Sequence, residues 1–248
     1  MTKNPVFREG IRVYILEGHG IPAYIYVLIL LAPIEFLSIF LQSFDPQAWM
    51  GPAKLFKIVS AAAMLLIVFF GLRVVNQEFV PWKFRSLKQW HQQEGVPIFQ
   101  VALGQFALLS VHTLLFVVLC SPLLIWAGAI ARVTTGSILL TLLLLLFYSL
   151  TYGVWGLATV TLWENRVETR QAFIRCFLVA VLLLTAFFFP PLNPVAFLLF
   201  YLGEEIKAPL DLGGWRASVP VLHFLFHFFL LGSGLLVYRW VLRKEGSL

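Results

Sequence analysis

From Gly95 to Ala131 the chain carries no Asp, Glu, Lys or Arg, and beyond Arg132 the same holds from Val133 to Trp163. A helix that crosses a hydrocarbon core needs about 20 mostly apolar residues, and each of these runs exceeds that length. In lipid every backbone N–H and C=O must find its partner within the protein. The runs do not alternate with period two, as barrel strands do, so the helix is the form they take.

The rest of the chain is of the same kind. Of its 248 residues 60% are hydrophobic, 16% aromatic and 12% charged. Soluble domains run at about 45–50% apolar and about 25% charged. So large an apolar excess does not fit inside one soluble core of this length. Disorder, a coiled coil, a disulfide-stapled secreted module and an ordinary cytosolic enzyme are excluded on composition. The expected fold class is all-α integral membrane, a single domain over 1–248.

Six spans are expected, over 21–42, 55–75, 98–127, 137–162, 172–189 and 218–241. The second has an uncharged centre from Ile58 to Leu72, with Lys57 and Arg73 placed to snorkel outward. Pro190 and Pro191 stop the fifth. With the N-terminus inside, the inner segments hold Lys3, Arg8, Arg12, Arg73, Lys83, Arg85, Lys88, Arg166, Arg170, Arg175, Arg239, Arg243 and Lys244. The outer segments hold Lys54, Lys57, Arg132, Lys207 and Arg216, so the split of the 18 cations is 13 to 5. That bias puts both termini in the cytoplasm. It also explains the net charge of +6 as topology, with nucleic acid not among the expected partners. Cys120 and Cys176 fall in or beside apolar segments and suggest neither a disulfide framework nor a zinc site.

Residues 1–20 lack the apolar stretch and cleavage site of a signal peptide and are expected to stay. Asn4 reads as an N-cap and Pro5 as a first-turn residue. Phe7, Ile11, Tyr14 and Ile15 share one helical face, with Arg8, Glu9 and Arg12 elsewhere. This predicts an amphipathic helix in the inner interface, with Phe7, Arg8, Ile11 and Arg12 at the boundary. Between Pro190 and Ala217 the apolar piece Pro194–Leu202 is too short to span and reads as an external re-entrant or interfacial half-helix. The inner loop Asn76–Gly95 is rich in charges and aromatics, and a second inner loop is expected over Trp163–Gln171.

No phosphate-loop motif, dinucleotide fingerprint, H-E-x-x-H or G-x-S-x-G is present, so no nucleotide site, cofactor or enzymatic activity is expected on this chain. Glu35 lies inside the first span, where a charge costs about 2.5–3.5 kcal/mol on insertion scales. It reads either as a substrate-path or helix-pairing residue or as a polar contact near the outer interface. Tyr148, Tyr152 and Trp155 share a face, lining the bundle or a substrate path. His223 and His227 stand at i and i+4, preceded by Glu204 and Glu205. They admit a reading as the metal site of an intramembrane peptidase, against aromatic packing among Phe224, Phe226, Phe228 and Phe229. His112 is a lone histidine and reads as a bundle contact.

Several stretches resemble permease subunits of the ABC-2 type ABC transporters. Asn4-Pro5-Val6-Phe7-Arg8-Glu9 is similar to the N-P-V-x-x-R-E stretch before that family's first helix, one residue shorter. Val96-Pro97 through Leu103-Gly104-Gln105 resembles the segment ending in L-G-K at the start of its third helix, with Gln105 in place of Lys. Gly153-Val154-Trp155-Gly156-Leu157-Ala158 looks like the end of its fourth helix, and Pro190-Pro191-Leu192-Asn193-Pro194 like the turn before its external half-helix. The family's E-[RK]-x-x-G-T run is missing, Glu78 being followed by Phe79-Val80-Pro81-Trp82.

The resemblance implies an exporter subunit in a bacterial plasma membrane. It would pair with a second permease copy or a paralogue, and with a separate ATPase subunit that binds ATP and Mg; an external accessory subunit is compatible with it. It also implies a coupling helix between the second and third spans, with Phe79, Trp82, Phe84, Leu87 and Trp90 as apolar anchors and Lys83, Arg85 and Lys88 on the rim; a basic loop on the membrane surface is the other reading of that segment. Cargo stays open among lipid-linked saccharides, drugs, haem-like or metal-linked molecules and lipids. A membrane scaffold that moves no solute is the third reading.

Overall fold

The computed structural model describes residues 4–44, 54–79, 89–164, 166–201, 210–212 and 215–246. Six of its helices are long and apolar enough to cross a membrane. A short helix α1 (Pro5–Ile11) runs on through a π-turn, Arg12–Leu16, and a turn at Gly18–Gly20 into α2 (Ile21–Phe44). There follow α3 (Lys54–Val75), α4 (Ile98–Ile130), α5 (Thr135–Leu162) and α6 (Val167–Phe188). A 3-10 turn (Pro190–Leu192) leads to the short α7 (Pro194–Ala196) and a π-turn (Phe197–Tyr201), and α8 (Val219–Gly246) closes the chain.

The long helices begin and end near the apolar limits. Pro97 stands as the N-cap residue of α4, and the Thr134 hydroxyl accepts from the Ser137 N–H at the start of α5. The start of α6 needs correction: it begins at Val167, before the 172 expected from hydropathy. Glu168 in the first turn suits a helix N-terminus. Discounting charged positions hid that turn, and the inner loop before it is correspondingly shorter. A second difference is a small antiparallel pair, β1 (Leu210–Leu212) and β2 (Trp215–Ala217), in register Leu210↔Ala217 and Leu212↔Trp215. The sequence between them is Gly213-Gly214, a dipeptide common in hairpins.

α3 is the central helix: 67% of its most apolar window is buried, against 17% for α6. It packs on α2, α4 and α5. Ser60, Ala61 and Ala63 are buried on it and let neighbouring backbones come close, the way helices associate where lipid is as apolar as Leu. Phe56, Met64 and Ile67 of α3 meet Phe116, Cys120 and Leu124 of α4 and Leu144 and Leu145 of α5. Outward stand Phe36, Leu143, Phe187, Phe188, Phe229 and Leu236, an apolar coat suited to lipid. α4 contains Pro122, which removes the bond to the Val118 carbonyl; the Ser121 hydroxyl donates there at 2.8 Å.

Candidate functional site

α1 docks on the start of α4. Asn4 caps α1 by accepting from the Phe7 N–H at 3.1 Å, and its amide donates to the Gln100 carbonyl at 2.6 Å. Gly104 makes room: a Cβ there would lie 2.6 Å from Asn4 Oδ1 and 2.9 Å from Val6 Cβ. The face turned to the bundle is Val6, Gly10, Val13 and Tyr14, one residue round from the expected stripe. Phe7 and Ile11 are half-buried, Arg8 and Arg12 exposed, and Arg12 pairs with Glu17 at 3.0 Å. The helix therefore has two apolar strips, one packed on the protein and one, with Phe7 and Ile11, half-buried. Tyr14, fully buried, donates from its hydroxyl to the Val74 carbonyl at 2.6 Å. Burial first, and nearby Tyr24 second, push its pKa up, so the hydroxyl remains a donor at physiological pH.

The end of α3 carries a charged clamp. Glu78 accepts through one oxygen from Arg73 at 2.8 Å and from Arg175 of α6 at 3.0 Å, and its side chain is 4% exposed. Arg73 also lies over the Phe79 ring at 5.0 Å. Arg170, buried, donates to the Glu164 carbonyl at 3.3 Å and lies within electrostatic reach of Glu78 and Tyr14. Sequence reasoning left Glu78 and Arg170 in loops, and Arg175 within the span 172–189 as one of the inside cations. Their opposite charges at the two inner ends were the available signal. Of the expected coupling residues, Trp82, Lys83, Phe84, Arg85, Leu87 and Lys88 lie outside the described residues. Trp90 is 7% exposed and packs inward with Val6, Val101 and Leu109, so this expected anchor is taken up by the protein itself.

Deeper in the bundle α5 and α8 form a polar seam. Tyr148 and Tyr152 are buried on α5, and His223 and His227 on α8. The Nδ1–H of His223 donates to the Pro191 carbonyl at 2.8 Å, which fixes the tautomer. Its Nε2 then accepts from the Tyr148 hydroxyl at 2.6 Å. His227 Nδ1–H donates to the His223 carbonyl at 3.0 Å. Its Nε2 and the Tyr152 hydroxyl are buried with no hydrogen-bond partner among the described residues, their rings 6.3 Å apart. Phe197 stacks on His223 at 3.9 Å. Trp155 continues the seam, its indole N–H donating to the Leu230 carbonyl at 3.0 Å, and a Cβ at Gly234 would sit 2.9 Å from that nitrogen.

The proline-rich turn is held to this seam. Asn193 caps α7 by accepting from Ala196 N–H at 2.9 Å and donates to the Leu182 carbonyl at 2.7 Å. A metal on His223 would have to displace either Tyr148 or Pro191, since both ring nitrogens are engaged. Glu204 and Glu205 lie outside the described residues. Among the described residues no three His, Cys, Asp or Glu side chains gather as a metal set.

Glu35 sits on α2, fully buried, and both its carboxylate oxygens lack a hydrogen-bond partner among the described residues. It shares no hydrogen bond with the α5–α8 seam. His112 of α4 meets Tyr24 of α2, hydroxyl to Nδ1 at 2.5 Å, and lies edge-on to Tyr14 at 4.7 Å. Comparison with protein-family models, with curated proteins and with solved structures finds no match to this chain.

Proposed function

We propose that this chain is the membrane-spanning permease subunit of an ATP-driven exporter of the ABC-2 type, working as a pair with ATP hydrolysed on a separate subunit. The contact of Asn4 with Gln100 beside Gly104 carries this reading. Two of the stretches that resemble the family, far apart in sequence, meet there and dock a short helix at the start of the third span. A short helical piece between the fifth and sixth spans, α7 with its π-turn, adds support. So does the clamp at Glu78, where the chain leaves α3 for the segment in which that family contacts its ATPase.

In this reading, closure of the ATPase pair pushes on the segment after Phe79. Glu78 passes the push to α3 through Arg73 and to α6 through Arg175, and Tyr14 ties α1 to the same end of α3. The bundle then switches as rigid bodies between two packings. Tyr152 and His227 supply polar groups toward a cargo path along the α5–α8 seam, and Glu35 a carboxyl on α2. Residues 4–20 lie in the inner interface and both termini in the cytoplasm of a bacterium.

The test is purification from the native membrane in mild detergent, followed by identification of bound subunits. The reading requires a stoichiometric partner carrying a phosphate-loop motif. Isolation alone, with zinc, or with only non-ATPase partners overturns it and favours the peptidase or scaffold.

A further inference from the structure

Between α1 and the turn at Gln89–Gln93 lies an open cleft of about 290 Å³. Pro5, Arg8, Glu9, Arg12, Trp90 and Glu94 line it. Trp90 backs it, packed behind against Val6, Val101 and Leu109. Two cations and two anions therefore face one hollow, and the lining has no net charge. The Arg8 side chain is exposed and has no partner among the described residues. Arg12, with 71% of its side chain exposed, spends Nε on Glu17 at 3.0 Å and keeps its two terminal nitrogens. Glu94 is exposed and Glu9 half-buried. The cleft stands at the polar ends of two spans, for α4 begins at Ile98, shortly after Glu94, and α2 begins at Ile21, shortly after Arg12. The headgroup layer of a bilayer begins where such apolar runs end.

We infer that this cleft holds the headgroup of a phosphatidylethanolamine lipid, its phosphate on Arg8 and Arg12 and its ammonium on Glu9 and Glu94. A guanidinium meets a phosphate with parallel N–H donors. Residues 8 and 12 are neighbours on a helix surface, about 5–6 Å apart, so one phosphate spans both. A carboxylate has about four acceptor sites, so each glutamate can take an ammonium N–H beside any other donor. A headgroup with negative charge alone would face two carboxylates with nothing to offset them. A choline keeps the positive charge but has no N–H to give. The phosphoethanolamine group has about eight non-hydrogen atoms, which at about 30 Å³ each, a water's share of the liquid, take about 240 Å³. The cleft is large enough for them. The inference stands on this lining and on the position of the two spans, and does not depend on the exporter reading.

The test is lipid binding by native mass spectrometry of the purified full chain in detergent. The probes are phosphatidylethanolamine, phosphatidylglycerol and phosphatidylcholine with identical acyl chains. An exposed ion pair is worth up to about fivefold in affinity. Phosphatidylethanolamine is expected to bind about two- to fivefold tighter than either of the others. Arg8→Gln with Arg12→Gln should weaken its binding by about fivefold. Glu9→Gln with Glu94→Gln should invert the order and make phosphatidylglycerol the tightest, a reversal that a merely disturbed surface would not produce. Glu94→Gln alone, at an exposed position, should shrink the lead of phosphatidylethanolamine and decides the matter should the double variant not fold. Glycerophosphoethanolamine carries the same head without acyl chains and should not displace the lipid at equal concentration; displacement would overturn the lipid as occupant. Equal binding of phosphatidylethanolamine and phosphatidylglycerol to the native chain overturns the inference. So does a lead that survives loss of the carboxylates, or an affinity unchanged by loss of the arginines.

Discussion

Gly104→Ala tests the docking of α1 because two effects of the added methyl oppose each other. In an isolated helix Ala is better than Gly by about 1 kcal/mol. That gain belongs to α4 whether or not α1 is docked, so it cancels from the docking equilibrium. What remains is the crowding: the new Cβ would stand 2.6 Å from Asn4 Oδ1, 2.9 Å from Val6 Cβ and 3.1 Å from Phe7 N. Asn4 can rotate away, at the loss of its cap; Val6 Cβ and Phe7 N are fixed to the backbone. Overpacking of this kind costs about 1–3 kcal/mol. At about 1.4 kcal/mol per decade, the undocked population rises about fivefold to about 140-fold. The assay is thiol labelling of Val6→Cys in a background with Cys120→Ala and Cys176→Ala, since Val6 is 7% exposed when docked. Labelling should accelerate within that range while helix content is kept. An unchanged rate would refute the argument, for α1 would then not be seated through Gly104.

Two further predictions concern the polar contacts. Glu78→Gln should lower thermal stability more than Arg175→Ala, by about 1–3 kcal/mol against less than about 1, because it strips the charged partner from two arginines while Arg175 is half-exposed; equal melting temperatures for the two variants would count against the clamp. Tyr148→Phe should destabilise by leaving His223 Nε2 without its donor, and the double variant Tyr148→Phe/His223→Phe should cost less than the sum, with a coupling of about 0.6–1.7 kcal/mol for a bond within lipid. Strict additivity in a denaturation series would show that the bond contributes nothing.

The spans were legible because length and apolarity suffice to define them, and their edges were sharp where a proline or a cap stood, as at Ile21 and Ile98. α6 was begun too late because hydropathy discards Glu168 and Arg170; Arg170 is tolerated once the Glu164 carbonyl receives it. Helical spacing told which residues share a face: Tyr148 with Tyr152, His223 with His227. It could not tell that these two faces meet, because nothing within either helix encodes its neighbour. On α1 helical spacing found the strip of Phe7 and Ile11 but not that Val6, Gly10 and Val13 face the bundle, for a related reason. The helix is apolar on two sides, and only the position of Gly104, on another helix, decides which side turns inward. The cations were read as topology signals, and that role passed over the opposite charge of Glu78 that pairs with Arg73 and Arg175.

The length of α4 has a consequence for force. Its 33 residues make a rod of about 50 Å, longer than a hydrocarbon core of about 30 Å even at the steepest common tilt of about 40°. It therefore does not fit wholly within the core, and the end that α1 holds is its longer arm. The arm runs from Ile98 to Ser121, about 36 Å, and ends at the missing backbone bond of Pro122, where a helix bends most readily. A bend of about 10° there sweeps the Ile98 end, with α1 attached, through about 6 Å. A small angular change at Pro122 is thus geared to a displacement larger than a helical turn at the far end of the arm.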